Sequence, residues 1–469
     1  MQRICPALIV CCLLLTLGLP GCRARSTVDA DAHELRQQVD ALARPYVEGQ
    51  YVVGMSVGVI TPTTRFTAHY GVTRHDGPPP DDRTLYEIGS ITKTMTGLLL
   101  ADGVTRGAYT LDTPVSELLA EKAEVDPRIT LGRLSTHTSG LPRLPINLYP
   151  YNPRDPYAVY DERRLLKDLR SIYLPDEPGQ TSRYSNLGVG LLGYALAEQA
   201  GTDYESLLKE RLLVPLGMNR TTITLRKDNR ARMAGPHNAD GEPASLWDLN
   251  VLAGAGGVRS DLHDMLTYAR AQIRPDTTPL ADAIRLSQSP QQRPGEASFG
   301  NPMGLGWFIG EGGVLMHGGQ TGGFKALIFV APEKQSAVVV LANTSNDFVQ
   351  SFGNQLHACV LKGQAVGPAE LPAVVEVPTE TLERYVGRYR LDGAGVIDVT
   401  RAEGRLYAQL TNQPRFRLFP ETPSRFRYRV VRATIDFEYN DLGEVDRLVL
   451  TQDGRRHVCP RISAEDASE

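Results

Sequence analysis

Cysteine is scarce in this chain. Six occur in 469 residues, and four of them (Cys5, Cys11, Cys12 and Cys22) fall within the first 22 positions. The body holds only Cys359 and Cys459, too few for a disulfide framework, although an oxidising compartment would permit that one pair. No C-x-x-C and no H-E-x-x-H occurs, so the sequence offers no metal-binding motif and calls for no cofactor. Long runs of Lys or Arg are missing too. With a net charge of -4 and a pI near 6.2, nothing in the charge pattern points to nucleic acid. We find no internal repeat. What remains is an ordinary globular composition, 41% apolar, in a chain long enough for two or three domains of roughly 150 residues each.

The N-terminus departs from that composition. Arg3 is followed by an apolar stretch from Ile4 to Leu19, and the pattern breaks at Leu19-Pro20-Gly21-Cys22. A positive start, an apolar core and a small residue before the break mark an export signal. The stretch is marginal for a membrane-spanning helix, which needs about 20 apolar residues. A small residue before Cys also resembles the bacterial lipobox. The expectation is therefore a signal peptide over 1–21, lipidation at Cys22, a polar tether over 22–33, and a protein exported to the periplasm or cell surface and held at the membrane by its lipid.

Periodicity divides the rest. Residues 34–48 carry helical spacing to about Ala43, and Tyr51 to Tyr70 reads as a β-hairpin turning at Thr61-Pro62-Thr63-Thr64. Ile91, Met95, Leu98 and Leu99 lie on one helix face. Further helices are expected over 163–172 and 187–201. Val314 to Met316, Ala326 to Val330 and Ala337 to Leu341 read as strands. This order suits an α+β fold rather than strict α/β alternation. A Gly/Pro-rich linker covers 363–379. Beyond it Leu406, Ala408 and Leu410, then Phe426, Tyr428 and Val430, then Ile435, Phe437 and Tyr439 alternate, which makes 380–463 a separate small β domain, a barrel or curved sheet. The first domain spans 34–362.

Three motifs carry chemistry. Ser90-Ile91-Thr92-Lys93 places a hydroxyl and an amine three residues apart on one helix face. A lysine is a poor base at its free pKa, but burial lowers that pKa and makes it a partner for a nucleophilic serine. Tyr184-Ser185-Asn186 adds a tyrosine able to relay protons and an amide able to grip a substrate. His317-Gly318-Gly319-Gln320 follows a strand; its glycines let a substrate lie against backbone, and the N–H of Gln320 with that of Ser90 would make an oxyanion hole. Each motif has a decoy. Ser206-Leu207-Leu208-Lys209 repeats the first spacing on a solvated face, and His75-Asp76-Gly77 sits in a proline-rich loop. Gly54-Met55-Ser56-Val57-Gly58 matches the α/β-hydrolase elbow but is followed by Val59-Ile60-Thr61-Pro62, which reads as strand and turn rather than helix.

Taken in order, Ser90-x-x-Lys93, Tyr184-x-Asn186 and His317-x-Gly319 resemble the serine β-lactamase and penicillin-binding superfamily, in its class C β-lactamase and D,D-peptidase branch. Stretches such as Leu134-Ser135-Thr136-His137-Thr138-Ser139-Gly140-Leu141 and Gly254-Ala255-Gly256-Gly257-Val258 extend the likeness over about residues 35 to 362. The resemblance implies an antiparallel sheet flanked by helices, plus a helical lobe, with the site between. It implies acylation of Ser90, proton handling by Lys93 and Tyr184, and substrate orientation by Asn186, His317, Gly319 and Gln320. It also implies a lipocalin-like C-terminal domain. Two departures stand out: class C enzymes usually carry Lys-Thr-Gly at His317-Gly318-Gly319, and Arg143 and Leu144 stand where a Gln is common. The functions implied are a D,D-carboxypeptidase or endopeptidase, or a β-lactamase, acting on peptidoglycan-related peptides or β-lactams. An esterase is the alternative. A non-catalytic penicillin sensor comes last, because Ser90, Lys93, Tyr184 and Asn186 are all intact.

Overall fold

The computed structural model describes residues 21–149, 152–291, 301–372, 374–431, 433–452 and 454–463. The signal segment up to Pro20 lies outside the described residues, as do the side chains of residues 21–31, Cys22 included. The first helix, Gly21–Glu48, takes in the whole of the expected tether, residues 22–33. Residues 23–33 contain neither Gly nor Pro, so nothing in them stops a helix that packs below. It also runs past Ala43. Pro45 sits in its last turn, where its carbonyl still accepts from Gly49 N–H at 3.0 Å.

A six-stranded antiparallel sheet centres the first domain, in the order β2-β1-β8-β7-β6-β5. Its strands are β1 (Gly54–Ile60), β2 (Arg65–Gly71), β5 (Phe308–Ile309), β6 (Leu315–Gln320), β7 (Lys325–Ala331) and β8 (Ser336–Ala342). A separate short pair, β3 (Tyr86–Glu87) and β4 (Arg259–Ser260), lies in the helical lobe. The apolar runs of β7 and β8 are buried on both faces. Ala326, Ile328, Val339 and Leu341 face the core shared with the helical lobe. Leu327, Phe329, Val338 and Val340 face a second core under the helices Gly21–Glu48 and Asp347–Leu356. Period-2 alternation thus feeds two cores, which is why these strands read as unbroken apolar sequence.

The helices that carry the site are buried all round. In Thr92–Thr105 the burial extends beyond the expected face to Thr94, Thr96, Leu100 and Ala101. The threonines tolerate this because they are bonded: Thr94 Oγ1 donates to Ile91 O (2.8 Å) and Thr96 Oγ1 to Gly254 O (2.7 Å). Each buried Leu stabilises by about 1.5–3 kcal/mol. The helix Asn186–Gln199 is buried in the same way through Leu187, Leu191 and Leu192.

The C-terminal domain is a closed, antiparallel eight-stranded barrel of β9 (Gly387–Leu391), β10 (Gly395–Ala402), β11 (Arg405–Leu410), β12 (Phe416–Pro420), β13 (Arg425–Arg427), β14 (Ala433–Tyr439), β15 (Val445–Gln452) and β16 (Arg455–Ile462). Tyr389↔Arg461 pairing closes it. Tyr389, Ile397, Leu406, Phe426, Ile435, Phe437 and Leu448 fill its interior, and Tyr385 stacks on Phe437 at 4.1 Å. The expected alternation does not run on to Val430: β13 ends at Arg427, Tyr428 still packs against the barrel core and donates its N–H to Ala433 O at 3.0 Å, and the Arg429 side chain then turns to Gly49 and Gln50 of the first domain. Cys359 and Cys459 are free thiols, the first beside the N-terminal helix and the second inside the barrel, so the permitted disulfide is not made.

Candidate active site

Ser90 occupies the single 3-10 turn Gly89–Ile91 that leads into the helix Thr92–Thr105. Lys93, one turn on, is wholly buried with its Nζ 2.9 Å from Ser90 Oγ. The same Nζ donates to Ala255 O at 2.6 Å, which fixes the amine against the Gly254–Val258 stretch. Burial, with the nearby Arg143 cation adding to it, holds the Lys93 pKa well below the ordinary lysine range. The lower that pKa, the more readily the amine offers a lone pair to the serine proton.

Tyr184 comes from the loop before the helix Asn186–Gln199 and hydrogen-bonds Ser90. Its ring centroid lies 4.9 Å from Lys93 Nζ and 5.2 Å from the Arg143 guanidinium carbon. Burial raises the Tyr184 pKa, opposed by Ser90 and Arg143, while it lowers that of Lys93, so the same burial favours the uncharged form of both groups. Ser185 caps the helix, its Oγ accepting from Gly188 N–H at 2.8 Å. Asn186 therefore sits at the first helical position. Its Nδ2 donates to Tyr157 OH at 3.1 Å, while its buried Oδ1 has no partner among the described residues.

His137, unassigned from sequence, braces this loop. Its Nδ1 accepts from Ser185 N–H at 3.2 Å, its carbonyl from Arg183 N–H at 2.8 Å, and its ring lies 4.3 Å from that of Tyr184. It is buried and held neutral.

The third wall is β6. Antiparallel bonding alternates along a ladder, and Thr321 N–H donates to Phe324 O (3.0 Å), so the neighbouring Gln320 N–H turns away from β7. It turns toward Ser90. A Cβ on Gly89, which adopts φ +49°, would stand 2.7 Å from Gln320 N; one on Gly319 would stand 1.9 Å from Ile88 O and 3.0 Å from Ser90 N. Only glycines allow the strand and the turn to meet this closely. β5 covers only Met316 and Leu315 of β6, which leaves the edge from His317 to Gln320 open. The Gln320 side chain faces out of the cleft floor, accepting from Lys325 Nζ (2.9 Å) and donating to Ser345 Oγ (3.0 Å).

His317 differs in state from what its type suggests. Burial and the Lys93 charge push its pKa down to about 3, so it is neutral across the physiological range rather than partly cationic. Nδ1 bonds Gly318 O at 2.8 Å, and the buried Nε2 has no partner among the described residues.

The decoys fall elsewhere. Ser56 lies mid-strand in β1 with no exposed surface. Its Oγ is 2.9 Å from His69 Nδ1, and His69 Nε2 is 3.1 Å from Asp82, a Ser–His–Asp chain that no substrate reaches. Ser206 is exposed and bonds the helix-capping Asp203 at 2.6 Å. His75 bonds Gly241 O in a surface loop.

A family model described as beta-lactamase matches residues 39–361. The chain belongs to the beta-lactamase family. As a member it is a serine hydrolase, of α+β fold with an all-β barrel behind. A second model, a domain of unknown function termed DUF3471, matches residues 371–461 and so coincides with the barrel. Among relatives, the D-alanyl-D-alanine-carboxypeptidase/endopeptidase AmpH of Escherichia coli (strain K12) is 30% identical over 71% of this chain and 91% of its own. A beta-lactamase of Providencia stuartii is 32% identical over 51% of this chain and 60% of its own. A solved class C beta-lactamase, 23% identical, superposes with a TM-score of 0.63 over 72% of this chain and 98% of its own.

In this family member Ser90, Tyr184, Asn186 and the stretch His317 to Gln320 line one cleft of about 950 Å3 above the buried Lys93, together with groups that no motif announces. Tyr157 and Trp247 form an aromatic wall, rings 5.7 Å apart. Trp247 is set by its backbone N–H, which donates to buried Glu87 (3.0 Å), itself paired with Arg259 at 3.1 Å. Arg143 is adjacent in sequence to the Leu141-Pro142 pair, which was the one available signal. Pro414, Arg415, Phe416 and Val430 come from the barrel, and only the tertiary arrangement brings them here.

Proposed function

We propose that the protein is an exported D,D-peptidase that acts through an acyl-enzyme on Ser90. The observation that carries this is the 2.9 Å contact between Ser90 Oγ and the buried Lys93, whose pKa burial lowers. Lys93 takes the Ser90 proton as Oγ attacks the substrate carbonyl. The N–H groups of Ser90 and Gln320 hold the resulting oxyanion. Asn186 Oδ1 accepts from a substrate amide and orients it. When the intermediate collapses, the departing amine takes a proton from the Tyr184 hydroxyl, which Lys93 replenishes. Water then attacks the acyl-enzyme, gives its proton back through the same pair, and frees Ser90.

Two features support a peptide substrate over a β-lactam. His317 supplies no cation where class C enzymes usually hold a lysine. The open edge of β6 lets an extended chain pair beside Ser90. The discriminating experiment offers the enzyme a D-Ala-D-Ala-terminated peptide, a penicillin and a small ester side by side. The expected result is D-alanine release together with a slowly released penicillin adduct. Rapid turnover of penicillin without D-alanine release would make the protein a β-lactamase; ester turnover alone would make it an esterase.

The segment Met1 to Cys22 supports export and anchoring by lipid on Cys22, and no described helix is long and apolar enough to cross a membrane. Labelling with radioactive palmitate should mark the full-length protein and not Cys22→Ala. Equal labelling of both would remove the anchor.

A further inference from the structure

The C-terminal barrel does more than follow the catalytic domain. It is docked through a built polar interface. Arg417 N–H donates to Asp240 Oδ2 at 3.0 Å, Arg405 pairs with Glu242 at 2.7 Å, and Arg417 reaches the same Glu242 at 3.8 Å. Arg429 donates to Gly49 O at 3.1 Å and to Gln50 O, and lies 4.0 Å over the Tyr51 ring and 3.7 Å over that of Phe419. Asp240 and Arg429 are both buried. These bonds fix β12 against the loop Pro236–Trp247, and Asn238, Ala239 and Asp240 of that loop line the cleft that Ser90 opens into.

The β11–β12 connection is thereby held at the mouth of the cleft. It is itself tied down, with Gln413 N–H donating to Leu410 O (2.9 Å) and Gln409 Nε2 to Gln413 O (3.0 Å). Its last residue, Arg415, is exposed and lines the cleft. The guanidinium stacks 4.3 Å over Tyr407. Arg143, in the same cleft, stacks on Tyr184. The barrel arginines that dock the domain are bonded to carboxylates or carbonyls, and cleft-lining Lys325 lies 3.4 Å from Asp347. Arg143 and Arg415 have no carboxylate partner among the described residues. Two stacked, unneutralised guanidinium planes, supplied by two domains, share a cleft roomy enough for more than the residues at the scissile bond.

We infer that the barrel completes the substrate site, and that Arg415 binds a carboxylate carried by the substrate away from the scissile bond, whereas Arg143 adds its charge beside Tyr184. A guanidinium fork matches a carboxylate with two parallel hydrogen bonds, and stacking on an aromatic ring pre-orients it at little entropic cost. This rests on the reading of Ser90 as a nucleophile acting on peptides, and it adds the substrate's charge and the domain that reads it.

The test compares two peptides with the same D-Ala-D-Ala end, one carrying Glu and the other Gln two residues upstream. It uses the full chain and its Arg415→Gln and Arg415→Glu variants. Wild type should favour the Glu peptide by about tenfold in kcat/KM, Arg415→Gln should bring the ratio near one, and Arg415→Glu should invert it. A wild type with no preference, or a preference that survives Arg415→Gln, overturns the inference. If neither peptide is cleaved while a small nitrophenyl ester still acylates Ser90, it is the peptidase reading that fails. The two peptides are then compared as competitors of that acylation: a Glu preference lost in Arg415→Gln sustains the carboxylate site, and equal competition overturns it.

Discussion

At the scale of single residues, the site works by separating the proton affinities of neighbouring groups. Lys93 is lowered and Tyr184 is raised by the same burial, so the base and the acid are assigned before substrate arrives. Arg143 contributes to lowering Lys93. Arg143→Gln should therefore raise the Lys93 pKa and move the acidic limb of the kcat/KM profile for a neutral ester to higher pH, by less than the desolvation effect that remains. An unmoved limb would detach Arg143 from Lys93. His317 gives a stability prediction. Its folded pKa of about 3 lies below the unfolded value near 6.5. Below the unfolded value the denatured chain takes up a proton that the native chain refuses, so stability present at neutral pH is lost as pH falls toward the folded value, by about tenfold in the folding equilibrium per pH unit. His317→Gln should lose less Tm between pH 7 and pH 4 than wild type does. The residue types and spacings of Ser90, Lys93, Tyr184 and Asn186 were legible in the sequence because each motif is local. The neutrality of His317 and the bracing by His137 were not, because both follow from what surrounds the rings in space.

At the scale of elements, the site is a meeting of one 3-10 turn with one strand edge. Gly319 is where they touch. Gly319→Val should push β6 away from Ile88 and Ser90, and should cost about 100-fold or more in kcat, the usual loss when an oxyanion donor is displaced. Gly318→Ala is the control. Its added carbon meets nothing closer than the Leu327 side chain at 3.3 Å, with Gln350 Oε1 at an ordinary 3.5 Å, so activity should stay within a few-fold of wild type. Comparable losses in both variants would mean that the strand tolerates no side chain at all, rather than that this contact builds the hole. The strands and helices were largely readable from periodicity, since the two-core alternation of β7 and β8 and the barrel pattern at Leu406, Ala408, Ile435 and Phe437 are burial rules written in sequence. The alternation of Phe426 and Tyr428 holds, but it breaks before Val430 because the intervening Arg429 is claimed by the other domain.

At the scale of the whole molecule, a packed barrel with an aromatic interior is pinned to a hydrolase by partly exposed ion pairs to Glu242, a backbone bond to buried Asp240 and one buried arginine, Arg429. Arg429→Ala strands the carbonyls of Gly49 and Gln50 and empties a stack between two rings, and should destabilise the docked state by about 2–3 kcal/mol. Calorimetry should then resolve a separate, earlier transition; a single unchanged transition would mean the domains are held together by other contacts. The sequence announced the second domain but not its position, since no local pattern encodes that Arg405 and Arg417 meet Glu242. Acylation of Ser90 is the central claim, and intact-protein mass spectrometry of the full chain and its Ser90→Ala variant, taken from seconds to hours after mixing with a penicillin, tests it most directly. A single covalent adduct on wild type and none on Ser90→Ala is the expected result. An adduct that persists in Ser90→Ala would place the nucleophile elsewhere and contradict the site described.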